Sequence, residues 1–221
     1  MPKGGASEVG LDLSLYLVTD CSLLAGRGLA QVVRAAIAGG VTCVQLRDKR
    51  ASGAELLRLA ETLLAVTRSA GVPLIINDRV EVMMATGADG VHVGQSDQPA
   101  RGARALIGPD KILGVTVSTL DELARAIADG ADYVGSNAIF STPTKTDTGA
   151  PQGLEGLRAL CAASTVPVVA IGGIDCSNAA EVMAAGAAGV AVVRAILSEP
   201  DPEFAARRLR ACMAAALAPP V

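Results

Sequence analysis

Arg47 and Lys49 stand two residues apart in "QLRDK", Asp78 follows Asn77 in "NDR", Asp97 ends "GQSD", and Lys145 sits in "STPTKTDTG". The first four close or directly follow a short apolar run rich in Val and Ile, and Lys145 lies on the loop after another. Cations and carboxylates gathered in one place suit a metal-bridged polyphosphate. Mg²⁺ usually takes one or two protein carboxylates and leaves its other positions to water and phosphate oxygens. Asp78 and Asp97 follow successive apolar runs, and paired strands lie about 4.8 Å apart, so both carboxylates can reach one hard cation. Each residue alone has a plainer reading. Arg47 or Lys49 could be solvated surface, and Asp78 could cap the helix that begins "RVEVMMA". The constellation is more specific than its members.

A second phosphate-binding feature lies further along. "GGI" at Gly172–Gly173 and "GVAVVRA" around Val193 and Arg194 would let backbone N–H groups approach an anion, although a Gly pair is also the default tight turn. Thr116 and Ser118 offer hydroxyls at the end of a further run. Two phosphate sites imply two phosphorylated substrates, or one carrying phosphate at both ends. His92, the single histidine, lies inside "GVHVG" and reads as a packed residue more than as a general base. Cys176 has no His or Cys close in sequence and reads as a structural thiol. Asp48 and Asp175 read as residues that orient neighbouring cations. Neither a Ser-His-Asp set nor a zinc-ligand spacing is visible.

These residues need elements to hold them. The runs "LYLVT", "CVQLR", "LIIN", "GVHVG", "ILGVT", "YVGS", "VVAIGG" and "GVAVV" read as strands. Their near-continuous apolarity is the mark of a parallel sheet buried on both faces. Helical patterns alternate with them. Ser52 with Glu55 and Asn178 with Glu181 each read as a capping box at a helix start. Gly39-Gly40, Gly87, Gly130 and Gly186 stand where helices must turn into the next strand. Eight β-then-α units without a break predict a single (β/α)₈ barrel over residues 15–221, preceded by a lead-in at 1–14, in preference to an open doubly wound sheet. The stretch "AIFSTPTKTDTGAPQ" is then an overlong loop at the catalytic end, and its "TDTGAPQ" part reads as a flexible cover for the site.

Bulk properties narrow the class. A net charge of -3 with 2% aromatic residues argues against nucleic-acid binding. No apolar run approaches the roughly 18 residues that span a bilayer, and the N-terminal stretch has no signal-peptide core. The five cysteines form no CxxC pair, which fits a reducing cytoplasm. Oligomeric state is left open, and a homo-oligomer is compatible with the chain.

Taken in order, "YLVTD", "VQLRDK", "LIINDR", "ADGVHVGQSD", "ADYVGSNAIFSTPTK", "PVVAIGGI" and "GVAVV" resemble the thiamine-phosphate synthase family from about Leu15 to Ile196. The resemblance implies a TIM barrel that joins hydroxymethylpyrimidine diphosphate to thiazole monophosphate with Mg²⁺, releasing diphosphate through a pyrimidine-methyl cation. It implies that Gln45, Arg47, Lys49, Asn77, Thr116 and Lys145 contact the pyrimidine diphosphate, with the turn through Leu46 and Asp48 contributing backbone. Lys145, Arg47 and Lys49 would carry the catalytic charge. Asp78 and Asp97 would hold Mg²⁺. Thr142, Pro143, Thr144, Gly173, Val193 and Arg194 would receive the thiazole phosphate. Thr116 replaces a usual Ser, Asn137-Ala138 replace a usual Gly-Pro, and Arg194 replaces a usual Ser. The competing readings are the related thiazole tautomerase, which uses no diphosphate substrate, and a non-enzymatic phosphate sensor, which has no need of the Asp78 and Asp97 pair.

Overall fold

The computed structural model describes residues 11–142 and 151–214. Strands and helices alternate through β1 (Leu15–Val18), α1 (Leu29–Ala38), β2 (Cys43–Leu46), α2 (Gly53–Ser69), β3 (Leu74–Asn77), α3 (Val80–Thr86), β4 (Gly90–Val93) and α4 (Ala100–Ile107). The second half continues with β5 (Ile112–Val117), α5 (Leu120–Ala128), β6 (Tyr133–Ala138), α6 (Gly153–Ala163), β7 (Val168–Ile171), α7 (Ala179–Ala184), β8 (Gly189–Val192), α8 (Arg194–Leu197) and α9 (Pro202–Ala214). All neighbouring strands pair in parallel, and β8 returns to β1, which closes the barrel. The strand runs and the closed β/α architecture are as the sequence predicts.

Closure explains the unbroken apolarity of the strands. Side chains alternate between the two faces, and both faces are buried. Val44 and Leu46 of β2 point outward into the large core shared with the helices, among Leu17, Leu63, Leu74 and Ile76. Cys43 points inward with Tyr16, Ile75, Tyr133, Val169 and Ala191. Leu13 belongs to that inner cluster, so the described end of the lead-in seals the barrel. At Gly189 a Cβ would lie 1.9 Å from the Leu13 carbonyl oxygen, and only glycine permits this approach.

Ser52 and Glu55 form the expected capping box on α2, each side chain accepting from the other's backbone N–H. Asn178 departs from expectation. It stands at the N-cap of α7 but makes no side-chain cap bond. Its Oδ1 accepts from the Asp175 N–H at 3.0 Å and its Nδ2 donates to the Gly173 carbonyl at 2.9 Å. The side chain thus braces the loop after β7, because that loop folds back over the helix start and offers both partners. Gly40, Gly87, Gly130 and Gly186 have positive φ, whereas Gly39 has φ -79° and instead lets α1 pack against α9.

Candidate active site

The C-terminal ends of the strands open into one cavity of about 1350 Å³. It is lined by Gln45, Arg47, Lys49, Asn77, Asp78, Asp97, Thr116, Thr142, Gly173, Val193 and Arg194. Loops on different strands are needed for this, and the barrel supplies them on one face. Pro143, Thr144 and Lys145 lie outside the described residues, as does most of the stretch read as a cover.

Arg47 is placed from below by Thr19, a residue the sequence reading passed over. The buried Thr19 hydroxyl accepts from the Arg47 N–H at 2.9 Å and lies 3.1 Å from the Arg47 carbonyl, to which it donates. A hydroxyl at the end of the first apolar run was the available signal. The turn beyond divides its side chains between the two faces. Leu46 is buried in the outer core. Asp48 accepts from the Arg50 N–H at 2.9 Å and borders a separate shallow depression with Arg50 and Glu55. Only their backbones can serve the cavity.

The two carboxylates are brought together. Asp78 follows β3 with φ 50°, a left-handed conformation that Asp and Asn tolerate better than most residues. Its backbone N–H donates to the His92 carbonyl on β4 at 2.8 Å, and its carboxylate accepts from Asn77 Nδ2 at 2.7 Å. Arg79, not Asp78, occupies the N-cap of α3, so the plain capping reading of Asp78 is excluded. Asp97 turns back to accept from the Gly94 N–H at 2.7 Å. Partial burial raises the Asp78 pKa above its ordinary 3.8, the negative charge of Asp97 raises it further, and Lys49, Arg79 and Arg47 oppose this. Asp97 and both predicted cations therefore act on Asp78 at the mouth of the cavity. Among the described residues no group of three or more His, Cys, Asp or Glu forms a fuller metal cage. A carboxylate pair lining an open cavity fits an ion that keeps most of its positions for water and phosphate.

The opposite side of the cavity is built from β6, β7 and β8. The pairing of β6 with β7 shifts between Gly135 and Ala138, where Ser136 Oγ accepts from the Ile171 N–H at 3.3 Å. This irregular step coincides with Asn137-Ala138. The Phe140 N–H donates to the Gly172 carbonyl at 3.1 Å, and a Cβ on Gly173 would lie 2.8 Å from the Ser141 carbonyl oxygen. Phe140 and Ser141, which lead into Thr142, are thus joined to the Gly172–Gly173 turn. Gly172 and Gly173 have φ 96° and 66°, which aim their backbone where other residues cannot. Gln152 closes the base of the overlong loop, its N–H donating to the Ala138 carbonyl at 2.8 Å and its Nε2 to the Ser118 carbonyl at 3.0 Å. Arg194 is exposed at the rim.

The floor holds polar residues that the sequence reading missed or set aside. Gln45 Nε2 donates to Tyr16 Oη at 2.9 Å, and Tyr16 Oη lies 2.8 Å from Tyr133 Oη. His92 Nδ1 lies 3.0 Å from Tyr133 Oη and its Nε2 lies 2.8 Å from Thr116 Oγ1. The expectation that His92 is packed inside the barrel holds, and it also lines the cavity. The tyrosines had a faint signal: the chain has two, and both stand on strands.

Cys176 also lines the cavity and is disulfide-bonded to Cys212 on α9, with Cα atoms 5.4 Å apart. This corrects the reading of a lone structural thiol. The partner is 36 residues away, beyond any local spacing rule. Cys21, Cys43 and Cys161 are free.

The chain matches the family model described as thiamine monophosphate synthase over residues 15–196. It is 53% identical to a thiamine-phosphate synthase of Chloroflexus aurantiacus over 201 residues, covering 91% of this chain and 93% of that one. It is 52% identical to the thiamine-phosphate synthase of Albidiferax ferrireducens, covering 93% and 96%. Among solved structures, a thiamine phosphate pyrophosphorylase from Pyrococcus furiosus superposes with a TM-score of 0.85 at 38% identity, covering 94% of this chain and 98% of that one. A 3-hexulose-6-phosphate synthase shares the fold, with a TM-score of 0.67 at 20% identity. A barrel whose mouth gathers carboxylates, cations and a glycine-lined turn thus matches one family over most of its length: the chain belongs to the thiamine monophosphate synthase family, transferases of thiamine biosynthesis.

Proposed function

We propose that this enzyme condenses 4-amino-2-methyl-5-(diphosphooxymethyl)pyrimidine with 4-methyl-5-(2-phosphooxyethyl)thiazole, releasing diphosphate and forming thiamine phosphate. The observation that carries this reading is the meeting of Asp78 and Asp97 with Arg47 and Lys49 on one side of the mouth. A diphosphate leaving group needs that arrangement, and a simple phosphate sensor does not.

Arg47 and Lys49 would bind the diphosphate and stabilise the charge that grows on it as the carbon–oxygen bond breaks. Lys145 would join them from the loop after β6. Donors set in place before the reaction cost no reorganisation, and removing one typically lowers the rate by about 10² to 10³. Asp78 and Asp97 would hold Mg²⁺, which when bound would offset further negative charge on the diphosphate. The Asp97 charge that raises the Asp78 pKa supports this role, because a bound divalent cation would offset it. Gln45 and Asn77 would hold the pyrimidine half. Thr142 with Pro143, Thr144 and the Gly173 turn, together with the backbone at Val193 and Arg194, would seat the thiazole phosphate so that the ring nitrogen faces the pyrimidine methyl carbon. The protein supplies no nucleophile, since the thiazole nitrogen captures the cation.

Incubation of both substrates with Mg²⁺, with diphosphate and thiamine phosphate measured together, tests the proposal. Stoichiometric formation of both is expected. Isomerisation of a thiazole phosphate without condensation would overturn it in favour of a tautomerase, and binding without turnover would do so in favour of a sensor.

A further inference from the structure

We propose that the floor of the barrel is a one-way hydrogen-bonded chain, Gln45–Tyr16–Tyr133–His92–Thr116, that presents the Thr116 hydroxyl to the cavity as a donor. Tyr133 and His92 are then positioning residues. The proposal rests on the condensation reading only for the consequence in turnover; the polarity of the chain stands on geometry alone.

The direction follows from counting hydrogens. A side-chain amide NH₂ can only donate, so Tyr16 Oη accepts from Gln45 Nε2 at 2.9 Å. Tyr16 must then place its own hydrogen. Given to Tyr133 Oη at 2.8 Å, it leaves the Tyr133 hydrogen for His92 Nδ1 at 3.0 Å. His92 is thereby the tautomer with hydrogen on Nε2, which donates to Thr116 Oγ1 at 2.8 Å. Thr116 accepts there and keeps its hydrogen for the cavity it lines. In the reverse direction the Tyr16 hydrogen is left to Cys43, whose sulfur is a weak acceptor. Tyr16 and Tyr133 are buried, where an ill-matched hydroxyl is costly.

The barrel makes room for this chain specifically. A Cβ on Gly114 would lie 2.3 Å from Tyr133 Oη and 2.5 Å from His92 Nδ1, the two atoms of the central bond. On Gly135 it would lie 3.2 Å from His92 Cε1. Two adjacent strands thus give up side chains at the point where the phenol meets the imidazole.

His92 is the single histidine, so ¹⁵N correlation spectra of the labelled resting protein report on it without ambiguity. A neutral ring protonated on Nε2 is expected, and protonation on Nδ1 would overturn the proposal. Tyr133→Phe is expected to mix the tautomers and lower kcat about 10- to 100-fold, the effect of losing a matched buried hydrogen bond, with the KM for the thiazole substrate unchanged. In a Thr116→Ala background the same substitution should cost less than twofold, because its effect passes through Thr116. Wild-type kinetics in Tyr133→Phe, or an undiminished loss in the double variant, would overturn the proposal. If Tyr133→Phe fails to fold, Tyr16→Phe interrupts the same chain one bond earlier and is read in the same way. A wild-type enzyme inactive in condensation defeats the functional reading, while its histidine spectrum still decides the polarity.

Discussion

Asp78 and Asp97 line one cavity from the loops after adjacent strands, and the charge of Asp97 acts on Asp78; the first is held by Asn77 and by the His92 carbonyl, the second by the Gly94 amide. Neither carboxylate is neutralised by a formal salt bridge among the described residues, and partial burial and the Asp97 charge raise the pKa of Asp78. A raised carboxylate pKa favours the folded state while the group is protonated, and that contribution is lost as the pH rises through the folded-state value. At neutral pH the metal-free protein therefore carries an unfavourable interaction here.

Asp78→Asn should relieve it. Asn keeps the left-handed conformation and the hydrogen bond to the neighbouring strand. Without divalent cations the variant is expected to melt at or slightly above the wild-type temperature at pH 7, with the difference vanishing as the pH falls below the unfolded-state carboxylate value of 3.8. Turnover should demand more Mg²⁺, as it should in Asp97→Asn. Melting curves and Mg²⁺ titrations of activity check both, and a variant whose Mg²⁺ dependence is unaltered would remove that residue from the site.

Lys145→Ala should lower kcat by about 10² or more while leaving the melting temperature nearly unchanged, as expected for a charge that acts on the leaving group from a loop. Steady-state kinetics with both substrates and a thermal melt decide this. Unchanged turnover in a folded variant would sink the assignment.

Ser52 and Asn178 stand at the same kind of position but do different work. Ser52→Ala removes a capping box and should cost about 0.5–2 kcal/mol of stability with little effect on kinetics. Asn178→Ala frees the loop carrying Gly173, and should raise the KM for the thiazole substrate several-fold with a smaller loss of stability. Denaturant titration and substrate-saturation curves separate the two.

The Cys176–Cys212 bond ties the loop after β7 to α9 across 36 residues. In the chain-entropy account, closing a loop of this length stabilises by about 3–4 kcal/mol, so Cys212→Ser should lower the melting temperature by about 5–15 °C. The midpoint measured with and without reductant checks this. A wild-type protein indifferent to reductant, with both thiols open to alkylation, would speak against the bond.

Much of the site was legible because a barrel converts sequence order into position. Arg47, Asp78 and Asp97 could be read as neighbours, since each lies at or just beyond the end of an apolar run and those ends share one face. Asn178 was misread because Ser52 and Asn178 look alike locally, and only the return of the preceding loop gives Asn178 better partners than the helix N-terminus. Thr19 was overlooked because its partner, the Arg47 backbone, lies just beyond another strand.

The apolar runs, their length and the glycine junctions determined the alternating strands and helices, and so the barrel, because those signals act within a few residues. Closure decided the rest. Tyr16 and Tyr133 are 117 residues apart, yet their hydroxyls meet because the ring of strands turns alternate side chains into a common interior. No local pattern encodes such a contact. It arises from the geometry of the ring and from the need of buried polar groups to find one another inside it.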